Sequence, residues 1–129
     1  MFSVGRYSLP PMKADLYGQL IMTGVPGKEV DAKTAKLFRK VKPGAFILFG
    51  RNIESAPQLR KLIDDLRDLS DIEPIITVDQ EGGRVARLRP PHWRRYPSAA
   101  RLASLPDPTA VTADAVATSS SSASMASTR

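Results

Sequence analysis

Residues 78–89 read Val-Asp-Gln-Glu-Gly-Gly-Arg-Val-Ala-Arg-Leu-Arg and concentrate the groups in this chain best suited to chemistry. Asp79 follows directly on the apolar run IITV. A carboxylate at the end of a buried strand is costly to desolvate unless something binds it. A polyhydroxy ligand suits it, because an ionised carboxylate accepts from two hydroxyls at once. Gly82-Gly83 allow the backbone to turn with positive φ or to pass close to a ligand. Arg84, Arg87 and Arg89 supply fork-shaped donors. In an extended chain Arg87 and Arg89 point to one face and Arg84 to the other. A second polar group, Gly50-Arg51-Asn52, follows the apolar run AFILF.

The same residues have plainer readings. Asp79 reads equally as a turn former, a helix cap or an ion-pair partner of Arg84 or Arg87. Six arginines and no acid lie between positions 84 and 101, a pattern shared by solvated faces. His92 and Trp93, between Pro91 and Arg94, read as a loop contact. GVPGKE at 24–29 is not a phosphate loop, because it lacks the glycine–lysine spacing and has Glu29 where a hydroxyl is required.

The elements that must position these groups alternate in type. Residues 19–25 (QLIMTGV) form a short apolar run closed by Pro26-Gly27, a turn pair. Asp31 is placed to cap a helix over 32–41, with Ala32, Ala35, Phe38 and Val41 on one stripe. After Pro43-Gly44, the run at 45–49 is continuously apolar, as in a strand covered on both faces. Ser55 opens a second helix with Pro57 in its first turn. Leu59, Leu62, Ile63, Leu66 and Leu69 follow at helical spacing, while Arg60–Asp64 and Lys61–Asp65 pair along the outer side. Glu73-Pro74 leads into the third strand at 75–78. Strand-type runs therefore start at Gln19, Ala45 and Ile75, 26 and 30 residues apart. That is the length of a βαβ crossover and predicts a right-handed parallel α/β arrangement. In such folds ligands meet the carboxyl ends of the strands, where both polar groups lie.

Composition narrows the classes. The 129 residues carry a formal net charge of +6, with 42% hydrophobic and 25% charged residues, close to ordinary globular proportions. There is no Cys and one His, so a disulfide scaffold and thiolate metal sites are excluded, and neither a metal nor a cofactor is expected. The longest apolar stretch is far short of the roughly 20 residues that cross a bilayer, so no membrane partner is expected. The first residues, with Pro10-Pro11 and no long apolar core, do not read as a secretory signal, and a cytoplasmic location is the expectation. Residues 109–129 are nearly all Ala, Ser, Thr and Val, too little apolar surface to offset the entropy of ordering. The expected organisation is an extension over 1–14, a domain over 15–105 and a disordered tail over 106–129.

GQLIMTGVPG (18–27), GAFILFGRNIES (44–55), VDQEGGRVARLR (78–89) and YPSA (96–99), in this order and spacing, closely resemble the N-terminal catalytic domain of glycoside hydrolase family 3. The branch is that of the bacterial β-N-acetylhexosaminidases. The resemblance implies a partial TIM (β/α)8 barrel of about three βα units. It implies release of terminal β-linked N-acetylglucosamine with retention, often from cell-wall fragments in peptidoglycan recycling. It implies that Asp79 binds the hydroxyls of the terminal sugar and that Arg87 is a further substrate contact. Gln80, Glu81, Gly82, Gly83 and Arg84 then stand at supporting positions, with Arg51 and Asn52 at the neighbouring strand end.

The family's nucleophile is an Asp late in the barrel and its acid/base a His on a long loop, both beyond the matched segments. His92 precedes YPSA, and Asp107 and Asp114 lie in the expected tail, so no catalytic residue is assigned. A complete barrel needs at least about 200 residues. The expectation is a truncated or frame-shifted product, inactive alone, whose partner is a carbohydrate containing N-acetylglucosamine. The alternatives are a non-catalytic sugar-binding module and a basic nucleic-acid-binding module. For the latter, the arginine run offers only Trp93 and Tyr96 for stacking and no nucleic-acid motif, so nucleic acid is not the expected partner.

Overall fold

The computed structural model describes residues 14–107 and 109. The N-terminal extension, apart from Ala14, and nearly all of the expected tail lie outside the described residues. A 3-10 helix, Ala14–Leu20, leads into strand β1 (Met22–Gly24), helix α1 (Ala32–Val41) and strand β2 (Ala45–Leu48). A 3-10 turn, Gly50–Asn52, precedes helix α2 (Ala56–Asp68) and strand β3 (Ile75–Val78). Two short strands, β4 (Gln80–Gly82) and β5 (Val85–Ala86), and helix α3 (Ala99–Ala103) follow.

Strands β1, β2 and β3 form one sheet in that order, and both pairings are parallel. The register aligns Met22 with Ala45 and Ala45 with Ile75. The two βαβ crossovers expected from the spacing are therefore present, in an α/β unit with a parallel sheet. Among the described residues β1 and β3 each pair with β2 alone, which leaves both edges of this sheet open.

The helices form where local chemistry directs them. The Asp31 carboxylate accepts the Thr34 backbone N–H at 2.6 Å and caps α1. The helix stops at Lys42, held in the left-handed region at φ 53° with its N–H bonded to Phe38 O at 2.7 Å. Ser55 caps α2, with Pro57 in the first turn, where the missing N–H costs nothing. Lys61 and Asp65 pair at 2.6 Å on its outer side, which raises the Lys61 pKa through the hydrogen bond to Asp65.

Both helices pack on one face of the sheet. The core consists of Val25, Phe38, Phe46, Leu48, Leu62, Ile63 and Leu66, with Leu59, Leu69, Val30 and Ile76 packed against it. The Phe38 and Phe46 rings meet at 5.0 Å between centroids and 54°, a tilted pair worth about 0.5–1.5 kcal/mol beyond its burial. Phe46 and Leu48 are buried in the core with the helices, while Met22 and Ile75, aligned with Ala45 on the opposite face of the sheet, stand exposed.

Two sequence expectations need correction. The first strand does not span 19–25: residues up to Leu20 are in the 3-10 helix and only Met22–Gly24 are extended. The Gly18 carbonyl accepts N–H groups from Ile21 and Gly44, and the Gln19 side chain donates to Lys42 O, so tertiary contacts turn this stretch of the run. On α1 the buried pair is Thr34 and Phe38, while Ala32 is exposed. The stripe is thus narrower than the spacing of Ala32, Ala35, Phe38 and Val41 suggested.

Candidate functional site

Asp79 leaves the end of β3 and the chain turns at once into the β4–β5 hairpin. Gly82 pairs with Val85 and Gln80 with Ala86, with a register irregularity between Gln80 and Gly82. The hairpin returns the chain so that Arg87 lies beside Asp79, with Arg87 Nη2 3.8 Å from Asp79 Oδ2. That separation exceeds hydrogen-bond range, and a pair this open to water contributes at most about 1 kcal/mol. Both side chains keep hydrogen-bonding capacity for a ligand. Arg87 Nε is buried with no partner among the described residues, and the Tyr96 hydroxyl is in the same state.

Gln80 holds the arginine in place. Its Oε1 accepts the backbone N–H groups of Arg87 at 2.8 Å and Leu88 at 3.0 Å, and its Nε2 donates to Leu88 O at 3.1 Å. A half-buried amide satisfied on both ends fixes the backbone that carries Arg87.

Gly82 and Gly83 both have positive φ, 77° and 58°, as the tight turn requires. The close approach is to the chain itself: a Cβ on Gly82 would stand 2.1 Å from Pro97 O, and one on Gly83 2.9 Å from Ser98 Cβ. Gly83 N–H donates to Tyr96 O at 3.3 Å. The Gly-Gly pair and the YPSA segment, read separately in the sequence, are two sides of one contact. Glu81 and Arg84 are exposed on this hairpin, Arg84 at its tip.

At the neighbouring strand end Asn52 is fully buried. Its amide donates to Val25 O at 2.9 Å and Gly27 O at 2.6 Å, and its Oδ1 accepts the Phe49 N–H at 2.8 Å. It ties the loop after β1 to the loop after β2. Arg51 does related work from outside: its Nε donates to Val25 O at 3.2 Å and its guanidinium lies 4.6 Å from the centre of the Phe49 ring. The structure thus brings Asp79, Gln80 and Arg87 together and places Asn52 within the fold.

An open cleft of about 310 Å³ lies on the same side. Gly50, Ile53 and Glu54 line it from the loop after β2, and Arg87, Arg89, His92 and Trp93 from the segment after β5. His92 and Trp93, which the sequence alone presents as a loop contact, line this cleft together with Arg87. The signal available was their position a few residues after the Arg87 and Arg89 donors. No group of three or more His, Cys, Asp or Glu placed to hold a metal occurs among the described residues. No described helix is long and apolar enough to cross a membrane.

Residues 14–127 match the family model described as the glycosyl hydrolase family 3 N terminal domain. A β-hexosaminidase from Alkalilimnicola ehrlichii is 39% identical over 92 residues, which cover 71% of this chain and 26% of that relative. A glycoside hydrolase family 3 β-N-acetylglucosaminidase from Paenibacillus sp. str. FPU-7 superimposes with a TM-score of 0.60 at 32% identity, over 66% of this chain and 17% of that one. NagZ from Neisseria gonorrhoeae, solved in complex with N-trifluoroacetyl-D-glucosamine, gives 0.60 at 30% identity, over 64% of this chain and 24% of that one. The chain spans about a quarter or less of the length of these relatives.

Proposed function

The chain belongs to glycosyl hydrolase family 3, as its N-terminal domain, and from that premise we propose that it binds a terminal β-linked N-acetylglucosamine for hydrolysis. The relatives it resembles are β-hexosaminidases and β-N-acetylglucosaminidases, and one was solved with an N-acylated glucosamine. The observation that carries the reading is the pair at the carboxyl end of β3: Asp79 and Arg87, 3.8 Å apart and each able to bond a ligand. The Asp79 carboxylate accepts from two sugar hydroxyls and the Arg87 guanidinium donates to a ring or acyl oxygen.

On this reading β1–α1–β2–α2–β3 is the first part of a (β/α)8 barrel, with the exposed face bearing Met22 and Ile75 turned toward the barrel interior. Retaining hydrolysis needs a nucleophile and a proton donor flanking the scissile bond. In the family these are the later Asp and the loop His, beyond the segments recognised above. The residues assigned here therefore supply sugar binding and neither member of that pair.

Calorimetric titration of the 129-residue chain with N-acetylglucosamine tests the binding. Saturable binding that is lost in Asp79→Ala and in Arg87→Ala is expected. Failure of the unsubstituted chain to bind, or binding unaffected by both substitutions, overturns the reading. A chromogenic N-acetylglucosaminide assay tests the second statement, which turnover at the rate of a full-length relative would refute.

A further inference from the structure

We propose that the arginine-rich surface formed by the tip of the β4–β5 hairpin and the segment running into α3 docks the phosphate backbone of double-stranded nucleic acid. The surface is separate from the sugar site, because Arg84, Arg95 and Arg101 neither pair with Asp79 nor line the cleft. Six arginines and no acid lie between positions 84 and 101, and the fold draws several of them together. Gly83 N–H donates to Tyr96 O at 3.3 Å, and a Cβ on Gly83 would stand 2.9 Å from Ser98 Cβ. Arg84 and Arg95 are the chain neighbours of Gly83 and Tyr96, so touching stretches of backbone carry them. Ser98 Oγ accepts the Arg101 N–H at 3.3 Å, which ties the start of α3 to the same contact. Arg84, Arg94, Arg95 and Arg101 are all exposed. Among the described residues Arg84, Arg95 and Arg101 have no ion-pair partner. The hairpin sets one acid beside them, Glu81.

Chemistry selects the partner. Guanidinium forks hold pairs of phosphate oxygens and stay charged at any physiological pH. Stable docking on lipid takes an apolar anchor beside the charge, and no exposed large apolar side chain among the described residues lies beyond Ile75. Trp93 and Tyr96 are half-buried, so the surface offers no open platform on which unpaired bases could stack. The scarcity of stacking residues argues against a partner read through its bases. It leaves a backbone contact untouched, since phosphate contacts position a duplex without reading its sequence.

Fluorescence anisotropy of the 129-residue chain with a labelled, random-sequence DNA duplex of about 20 base pairs tests the proposal. Micromolar binding is expected at about 50 mM salt, with log K falling against log salt at a slope of about −3, or about −0.9 for each phosphate neutralised. Replacing Arg84, Arg95 and Arg101 together by Gln should weaken binding about tenfold or more and remove most of that slope. Replacing the same three by Lys should keep most of the affinity. Lys33, Lys36 and Lys40, exposed on α1, are the control: their combined replacement by Gln removes the same charge elsewhere and should change affinity by less than about twofold. Should the arginine-to-glutamine triple fail to fold, as judged by circular dichroism, Arg95→Gln alone decides, with an expected loss of about 0.9 in slope. Absence of duplex binding overturns the proposal. Equal losses in the two glutamine triples trace the binding to net charge and overturn it as well. Tighter binding of a single strand that Trp93→Ala abolishes, or equal binding to phosphatidylcholine vesicles with ~25% phosphatidylserine, overturns the choice of a duplex backbone.

Discussion

Gln80 Oε1 accepts the backbone N–H of Arg87 at 2.8 Å, so the residue next to Asp79 anchors the arginine that Asp79 faces. One side chain couples the shape of the hairpin to the geometry of the candidate sugar site. It makes three hydrogen bonds to two successive residues, all of them partly buried.

Gln80→Ala removes those bonds and leaves two N–H groups and a carbonyl without their partner. The expected cost is about 1–3 kcal/mol, read as a shift of the urea midpoint. Loss of N-acetylglucosamine affinity should exceed what that loss of stability accounts for, because Arg87 is released from its place. Gln80→Glu keeps the acceptor and loses the donor to Leu88, so it should fall between the two. An alanine variant with native affinity would show that Arg87 is positioned by other contacts.

Gly82→Ala is expected to destabilise the chain by about 2–4 kcal/mol, from positive φ together with a methyl group driven into Pro97 O. Gly50 provides the control, since a Cβ there meets nothing within 4 Å. Gly50→Ala should stay within about 0.5 kcal/mol of the parent in the same denaturant titration. If the two variants behave alike, the hairpin does not pack on the Tyr96–Pro97 backbone.

Asn52→Ala deletes three hydrogen bonds at a fully buried position and separates the loops after β1 and β2. The loss is expected to reach about 3 kcal/mol or more, enough to unfold a domain of ordinary marginal stability. Asn52→Asp keeps the acceptor for Phe49 N–H but sets a carboxylate against two carbonyls, so it should be no better. Thermal melts compared with Arg51→Ala separate the two neighbours. Arg51 is exposed, and its removal should cost less than about 1 kcal/mol.

The α/β alternation was legible because the strongest local signals agree with the tertiary result. Asp31 and Ser55 cap the helices they precede, and the spacing of Leu62, Ile63 and Leu66 gives the buried face of α2. The run at 19–25 misled because its apolar residues do not all enter the core: Leu20, Ile21 and Met22 are exposed among the described residues. Asp79 and Arg87 were visible as chemistry at a strand end. Their separation was not, since it depends on a hairpin with a register irregularity that a stretch read as extended does not reveal. Gly82-Gly83 was legible as a turn. Its contact with Pro97 was not, because nothing local links positions 15 residues apart.

The cap on α1 gives a pH dependence whose sign is fixed by its geometry. Hydrogen bonds from Thr34, backbone first, lower the Asp31 pKa below its ordinary value, and the positive end of the helix dipole acts in the same sense. In the unfolded chain the carboxyl titrates at its ordinary value. The folded state therefore favours the ionised form, and the stabilisation is fully present above the unfolded pKa. It is lost as pH falls through the depressed folded value. Asp31→Ala should thus melt a few degrees below the parent at neutral pH, with the gap closing as pH drops from about 5 toward about 2. General acid destabilisation affects both chains and cancels in the difference. Asp31→Ser isolates the charge, since its hydroxyl caps the helix at any pH. The melting difference between Asp31→Ser and Asp31→Ala should stay constant over the same range. A parent-to-alanine gap that is equally constant would show that the ionised carboxylate is not the capping group.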